Sequence, residues 1–295
     1  MVDSGEVMGL AGESGCGKST LAQLCSGSPN PLLHYESGKV LVNGFDIYKI
    51  HPEVFRTEVK ACQMSYIPQA SMDSLNPVKR IRDFIMDVMR ERTNEKSLKE
   101  EVFKMAGDHL EELGLDRRVI DRYPHELSGG MKQRVVIGIS TLYHPKLLMI
   151  DEPTSALDVT TQKLVIKSLL DLKKAGIIES MLFISHDITV LGELCDRCAV
   201  MYGGKIVEVA SMDDITHKSL HPYTSALISS VVSYNPERMG KGGLKSIPGA
   251  PPDLRDPPPA CRFHPRCEYA MDICQIKEPP LEAVKKQSHV ACWLY

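Results

Sequence analysis

The sequence lacks any uninterrupted apolar run approaching the roughly 18 residues that a membrane-crossing helix needs, which excludes a spanning segment. Its first residues, Met1-Val2-Asp3-Ser4-Gly5-Glu6, carry neither a basic segment nor an apolar core. No secretory signal is expected, and the cytosol is the expected compartment. A charge excess of either sign is missing too. Lys and Arg number 35 against 38 Asp and Glu, a formal net charge of -3, which gives no reason to expect nucleic acid or an anionic lipid surface as partner. No internal repeat is visible, so the chain is not built from tandem copies of one unit. What is present is an ordinary globular composition, 43% apolar and 25% charged, over 295 residues. That length accommodates one large domain with an appendage, or two small domains. Nine cysteines in a cytosolic chain read as metal ligands or buried thiols rather than disulfides.

The strongest local signal is Gly12-Glu13-Ser14-Gly15-Cys16-Gly17-Lys18-Ser19, a phosphate-binding loop of the form G-x-x-x-x-G-K-[ST] followed by Thr20. Its glycines let the backbone curl so that successive N–H groups converge on one anion. Lys18 supplies a compact cation to the β and γ phosphates, and the Ser19 hydroxyl is a Mg²⁺ ligand. The apolar run Val7–Leu10 predicts a buried strand before the loop. Thr20–Cys25 predicts a helix whose N-terminal dipole favours the phosphate.

Along the chain, residues 1–70 alternate short apolar strands with turns, including Val40–Asn43 and Met64–Pro68. Residues 78–145 are helical in pattern: Ile81, Ile85, Val88 and Met89 recur at helical spacing, as do Val102, Met105, Leu110 and Leu113. Residues 146–208 return to α/β, with strands expected at Leu147–Ile150 and Met181–Ile184, each ending in polar residues where open α/β sheets place ligands. Beyond about residue 210 the composition changes. Six prolines fall between Pro248 and Pro259, and four cysteines occupy the last 35 residues.

Four further segments carry possible chemistry. Leu147-Leu148-Met149-Ile150-Asp151-Glu152 reads as a buried strand ending in two carboxylates, Asp151 to hold Mg²⁺ directly or through water and Glu152 to polarise an attacking water. A solvated acidic turn is the alternative, weakened by the phosphate loop upstream. Leu127-Ser128-Gly129-Gly130-Met131 precedes a helical run, Arg134–Leu142, and offers Ser128, Gly129 and Gly130 as a second anion site. Taken by themselves, those residues favour a plain helix cap. His186, in Ser185-His186-Asp187 after the strand Met181–Ile184, is placed for a γ-phosphate contact, although a lone histidine is more often a surface residue. Gln69 closes Met64–Pro68, where it would meet Mg²⁺ or water; alone it carries no signal.

The order of these parts, from phosphate loop through Gln69, L-S-G-G-M, L-L-M-I-D-E and Ser155–Asp158 to His186, strongly resembles the ATP-binding-cassette ATPases over about residues 5–208. The resemblance implies an α/β fold, a RecA-like core with a helical subdomain at about 78–138 that docks a permease, all within a cassette domain at 1–208. It implies ATP and Mg²⁺ as ligands, with Ser19, Gln69 and Asp151 at the magnesium. Glu152 becomes the general base, His186 the γ-phosphate contact and Gln69 the link to the transmembrane partner. Ser128, Gly129 and Gly130 complete the ATP site of a second cassette, and Asp158 communicates across that dimer.

Ser74-Leu75-Asn76-Pro77, His221-Pro222-Tyr223-Thr224 and the tail from Ile247-Pro248-Gly249-Ala250-Pro251-Pro252-Asp253-Leu254 into Cys261-Arg262-Phe263-His264-Pro265-Arg266-Cys267 are similar to the oligopeptide/dipeptide importer branch. This implies an extension at 209–295, separate permease chains, an extracytoplasmic substrate-binding protein acting indirectly, and a second ATPase subunit that is a paralogue. The chain would sit on the cytoplasmic face of the membrane through the permease. Cargo is not legible, since members of the branch also move sugars or nickel. A non-transport cassette and a degenerate regulatory one are the rival readings. Neither a coiled-coil insertion nor a tandem cassette is present, and Lys18, Asp151, Glu152 and His186 are intact.

Cys261, Cys267, Cys274 and Cys292 are separated by five, six and 17 residues. Four thiolates suit zinc or an iron–sulfur cluster. Tight C-x-x-C pairs typical of zinc ribbons are absent from this set. Members of the branch carry a [4Fe–4S] cluster at such positions, which favours iron–sulfur here, with zinc and unligated thiols as alternatives. Cys195 and Cys198 are expected to be packing residues on a helix-like stretch. In one respect the resemblance is incomplete. Family members begin with two strands upstream of the segment matching Gly5, one leading to an aromatic that stacks on adenine. This chain has only Met1–Ser4 there, and its first aromatic, Tyr35, follows the loop helix.

Overall fold

The computed structural model describes residues 1–69, 71–92, 99–155, 157–230 and 247–295. Ala156 of the Ser155–Asp158 segment, part of the helical span 78–138 and part of the 209–295 extension therefore lie outside the described residues. Among those described, the strands in chain order are β1 Val7–Ala11, β2 Leu41–Val42, β3 Phe45–Asp46, β4 Met64–Ile67, β5 Leu147–Asp151, β6 Ser180–Ile184, β7 Arg197–Tyr202, β8 Lys205–Ser211, β9 Glu282–Lys285 and β10 Ser288–Val290. The chain forms two compact units, one from Met1–Gly5 with Ala22–Leu182, the other from Glu6–Leu21 with Phe183–Tyr295. The helix Lys18–Cys25 and β6 run across the points of division.

In the first unit β4 and β5 pair in parallel, Met64 opposite Leu147 and Ile67 opposite Ile150. The apolar run Leu147–Ile150 of β5 follows, since a parallel strand is covered on both faces, whereas β4 carries Ser65 and Tyr66 half-buried between Met64 and Ile67. The run expected at Val40–Asn43 shortens to β2, turned back on β3 through Asn43 and Gly44, both at positive φ. Val42, Ile47, Val59, Met64 and Met149 make one apolar core there. The helical spacing read from the sequence gives Ile81–Arg92, Lys99–Glu112 and Gly129–Thr141. Ile81 and Ile85 are buried as their period requires, but Met105 is 42% exposed and Ala106 takes the buried position beside Val102 and Leu110.

In the second unit the sheet order is β1-β7-β8-β10-β9. β1 and β7 are parallel, while β7–β8, β8–β10 and β10–β9 are antiparallel, so the sheet is mixed. Every residue of β1 is buried, as expected of an apolar run with neither Pro nor charge. The tail contributes the edge strands β9 and β10, and its Phe263 packs against Tyr202, Tyr223 and His221. Cys195 closes the helix Ile188–Leu194, whereas Cys198 lies on β7, so only one of that pair belongs to the helical stretch. Both thiols are buried, and burial pushes Cys198 up to about 12 and raises Cys195 as well. They are neutral packing groups.

Candidate functional site

The candidate nucleotide-site residues fall into three groups, each built inside one unit. The phosphate loop leaves β1 at Gly12 and enters the helix at Lys18. Gly12 and Gly15 have φ of 151° and 83°, and a Cβ at Gly12 would stand 2.2 Å from the Met201 carbonyl oxygen. No side chain fits there, which is why the loop can curl against β7. Lys18 is 5% exposed, and its Nζ donates to the carbonyls of Gly12 at 2.8 Å and Glu13 at 3.1 Å. The cation is thus held within the curl. Cys16 is buried in the loop, and desolvation raises its thiol above the usual range despite the opposing charge of Lys18. Ser19 is half-buried, while Ser14 and Thr20 are exposed. His186 is exposed at the end of β6. The Asp187 N–H donates to Ser185 Oγ at 3.0 Å, and Asp187 caps the next helix by accepting from Thr189 N–H at 2.8 Å.

The second group lies at the C-terminal ends of β4 and β5. Asp151 is 1% exposed, and the Tyr66 hydroxyl stands 3.4 Å from its Oδ2. Burial, with the Asp151 charge added, raises the Tyr66 phenol far above its ordinary value, so it donates to the carboxylate. Glu152 has a φ of 46°, an uncommon conformation for a side-chain-bearing residue. That turn presents its carboxylate to Gln69, whose Nε2 donates to Glu152 Oε2 at 3.3 Å. Gln69 and Glu152, 83 positions apart in sequence, therefore meet, with Asp151 beside them.

The third group is built on two helix N-termini. Ser128 caps Gly129–Thr141, its Oγ accepting from Met131 N–H at 3.3 Å, and it remains exposed with Gly129. The plain capping role is thus realised, and the exposed N–H end remains available to an anion. Gly130 is closely packed: a Cβ there would lie 2.4 Å from Thr161 Cγ2. Thr161 also donates its N–H to Asp158 Oδ1 at 3.0 Å and its hydroxyl to Asp158 Oδ2 at 2.5 Å. Those hydrogen bonds hold the Asp158 carboxyl below its usual value. Ser128–Gly130 and Asp158 are therefore neighbours through one threonine.

The tail cysteines form the remaining cluster. Cys261, Cys267, Cys274 and Cys292 line one small cavity with Phe263 and Trp293, and all four are free thiols. Burial pushes Cys261 up to about 11 and raises Cys267 and Cys292. The backbone at Phe263, Tyr269 and Leu294 hydrogen-bonds the sulfur two residues earlier in each case. Among the described residues no group of three or more His, Cys, Asp or Glu is placed to hold a metal ion. Tyr35, the first aromatic, stacks on Tyr48 with ring centroids 4.1 Å apart and donates its hydroxyl to the Gly38 carbonyl. It is engaged within its own turn.

Sequence reasoning passed over Arg266, Arg262 and Tyr223, which touch the loop or the turn beside it. Their motifs were visible, but the cysteines drew the reading of C-R-F-H-P-R-C.

Comparison with known proteins places the chain in a family. Residues 1–155 match the ABC transporter family model, and residues 207–274 match the oligopeptide/dipeptide transporter, C-terminal region. A dipeptide transport ATP-binding protein, DppD, of Caldanaerobacter subterraneus subsp. tengcongensis is 41% identical over 98% of this chain and 87% of its own length. Oligopeptide transport ATP-binding proteins OppD of Bacillus subtilis and Escherichia coli are 39% and 37% identical, over 99% and 98% of this chain and 81% and 84% of theirs. Among solved structures, the ATP-binding cassette MJ0796 in a dimeric post-hydrolysis state bound to ADP and Pi aligns with a TM-score of 0.60 at 22% identity, covering 72% of this chain and 88% of that one. That likeness concerns the fold.

Proposed function

The chain belongs to the ATP-binding subunits of ABC transporters, and we propose that it powers the import of di- or oligopeptides. ATP and Mg²⁺ are the ligands of this family, and its cassettes dimerise and work beside permease subunits. Among the described residues no helix is long and apolar enough to cross a membrane. The match of residues 207–274 supports peptide cargo. We assign the cytoplasmic face of the membrane as its place, a paralogous cassette as its partner, and an extracytoplasmic binding protein as the source of cargo.

In this reading Gly12–Thr20 cradle the phosphates, Lys18 neutralises them, and Ser19, Asp151 and Gln69 hold Mg²⁺. Glu152 takes a proton from the attacking water and His186 contacts the γ-phosphate. Ser128–Gly130 serve the partner's nucleotide, with Asp158 relaying between subunits. The observation that carries the hydrolytic role is Glu152, turned to a φ of 46° and held by Gln69 beside buried Asp151. Strain at such a position persists when surroundings over-determine it. Glu152→Gln retains the shape and removes the base. It should bind ATP normally, lose turnover by roughly 10²-fold or more, and accumulate as an ATP-bound dimer on sizing. Near-normal hydrolysis would remove Glu152 from the role.

The four tail thiols have the donor chemistry of an iron–sulfur cluster, although the described residues do not place three of them to hold a metal ion. They share a cavity, burial disfavours the charged forms of Cys261, Cys267 and Cys292, and backbone groups already hydrogen-bond those three sulfurs. Thiolates in such a place would be stabilised by a bound metal, for which iron is the proposed one. Cys261, Cys267, Cys274 and Cys292 would hold a [4Fe–4S] cluster that cross-links the short tail segments, a structural staple for a region with little apolar periodicity.

A further inference from the structure

The phosphate loop is gripped from outside its own segment. Two arginines of the C-R-F-H-P-R-C segment reach it or the turn that supports it, and each adjoins a tail cysteine. Arg266 lays its guanidinium on Glu13, with Nη1 donating to Oε2 at 2.8 Å and Nη2 to Oε1 at 3.1 Å. Its Nε donates to the Pro248 carbonyl at 2.7 Å, fixing the fork from behind. The Arg266 side chain is 7% exposed and that of Glu13 is 21% exposed, so the pair is largely withdrawn from water. The backbone of the same loop residue is held as well, since Glu13 N–H donates to the Tyr223 hydroxyl at 2.9 Å. Arg262 donates to the Gly203 carbonyl, and the adjacent Gly204 N–H donates to the Cys16 carbonyl at 2.9 Å.

A glycine-rich loop binds an anion well only if its N–H groups already converge, because ordering them on binding would subtract from affinity. Glu13 is the single acid in the loop, and an unpaired carboxylate beside a polyphosphate would repel it. A bidentate guanidinium answers both needs, being directional as well as neutralising. We infer that Arg266 is a positioning residue of the phosphate loop: clamped on Glu13, it holds the loop in its nucleotide-binding curl, so that the order of the cysteine tail sets nucleotide affinity. This rests on the reading of Gly12–Thr20 as the ATP site.

The chain carries its own reporters. Trypsin releases residues 1–18 as a peptide whose single cysteine is Cys16, and residues 198–205 as one whose single cysteine is Cys198. Alkylation of the full-length, nucleotide-free protein, read by mass spectrometry, follows loop opening at Cys16 and general loosening at Cys198. Arg266→Met should accelerate Cys16 roughly five- to tenfold and weaken binding of a fluorescent ATP analogue by a similar factor, with Arg266→Lys intermediate and Cys198 unchanged. Glu13→Ala, which leaves the tail intact, should accelerate Cys16 likewise, and the double variant no further, because one clamp is lost in each. The two variants change the charge near Cys16 in opposite directions, so acceleration in both reports opening. Cys16 rates within about twofold of the parent in both, or accelerations that multiply in the double variant, would overturn the clamp. If Arg266→Met also exposes Cys198, Glu13→Ala alone decides. Unaltered analogue binding by Lys18→Ala would sink the ATP reading of the loop instead, and the nucleotide-free alkylation would still judge the clamp.

Discussion

Replacing Gly12 by alanine tests the geometry of the phosphate loop most directly. The perturbation is one methyl group, and its two effects separate. The first is torsional: φ at Gly12 is 151°, and that at Gly15 is 83°. Either position strains an L-residue by about 1–2 kcal/mol. The second is steric and belongs to Gly12 alone. Its Cβ would meet the Met201 carbonyl oxygen at 2.2 Å and Cys16 Sγ at 2.8 Å, whereas at Gly15 nothing lies within 4 Å. The carbonyl is part of β7, paired with both β1 and β8, so it yields only by moving the sheet. Forced overpacking of this kind adds about 1–3 kcal/mol or more. Gly12→Ala should therefore destabilise the nucleotide-free chain by about 2–5 kcal/mol, against about 1–2 kcal/mol for Gly15→Ala. The only tryptophan, Trp293, lies in the same unit as the loop, so its emission during urea unfolding reports that unit. Equal destabilisation by the two variants, or a larger effect at Gly15, would refute the close approach of the loop to β7. A larger loss of ATP affinity at Gly12 should accompany the difference.

Three further outcomes are expected. Ser128→Arg should remove photo-crosslinked nucleotide from the partner's site in a mixed dimer while sparing its own; loss confined to its own site would refute the shared-site reading, and an N-cap loss of about 0.5–2 kcal/mol should appear in its stability either way. Protein purified without oxygen should contain iron and sulfide and absorb in the visible, with each of Cys261→Ser, Cys267→Ser, Cys274→Ser and Cys292→Ser bleaching it and Cys195→Ser not; stoichiometric zinc without iron in iron-replete preparations would overturn the cluster. Burial pushes the His221 imidazole down to about 4, and its Nδ1 accepts from Tyr223 N–H at 3.0 Å. A base depressed in the folded state contributes fully above its unfolded value, near 6.5, and its contribution is lost as pH falls toward 4. Stability measured at Trp293 should thus drop by about 2 kcal/mol between pH 7 and pH 5, and His221→Asn, which still accepts from Tyr223 but does not titrate there, should flatten that dependence; an unchanged slope would place the titration elsewhere.

Much of the architecture was legible because it is written locally. Val7–Leu10, Leu147–Ile150 and Met181–Ile184 are short apolar runs closed by polar residues, and each forms a strand. The loop glycines, Lys18 and the Asp151-Glu152 step carry their chemistry in adjacent residues. Legibility fell where tertiary partners decide. Val40–Asn43 kept only two strand residues because Asn43 and Gly44 turn at positive φ. Met105 matched the helical period yet faces water, while the smaller Ala106 takes the inward position. Cys198, near a helix in sequence, is a strand residue because β7 begins at Arg197. The meeting of Gln69 with Glu152, and of Glu13 with Arg266, spans stretches of chain that no periodicity relates.

Three residues that defy local preference lie at the proposed chemistry, although Asn43, Ala61, His144 and Gln287 take positive φ elsewhere. Glu152 takes a left-handed backbone where glycine would be unstrained, and Gly12 and Gly130 occupy points where an added carbon would meet other atoms at 2.2 and 2.4 Å. Each is a place where neighbouring structure has fixed the backbone before the side chain is chosen. Glu13 completes the set in a different way. A carboxylate inside a phosphate loop is electrostatically adverse, and it is tolerated because Arg266, from the far end of the chain, neutralises and orients it. The acid and the tail therefore depend on one another. A chain without the tail would leave Glu13 unanswered beside the phosphates, and a tail without Glu13 would leave the Arg266 fork with only the Tyr202 hydroxyl, at 3.2 Å, on that side. Glu13→Gln in a chain truncated at residue 246 should for that reason bind ATP better than the same truncation retaining Glu13. In the full-length chain the same substitution should bind it worse. Substitution effects of the same sign in both backgrounds would break the link between acid and tail.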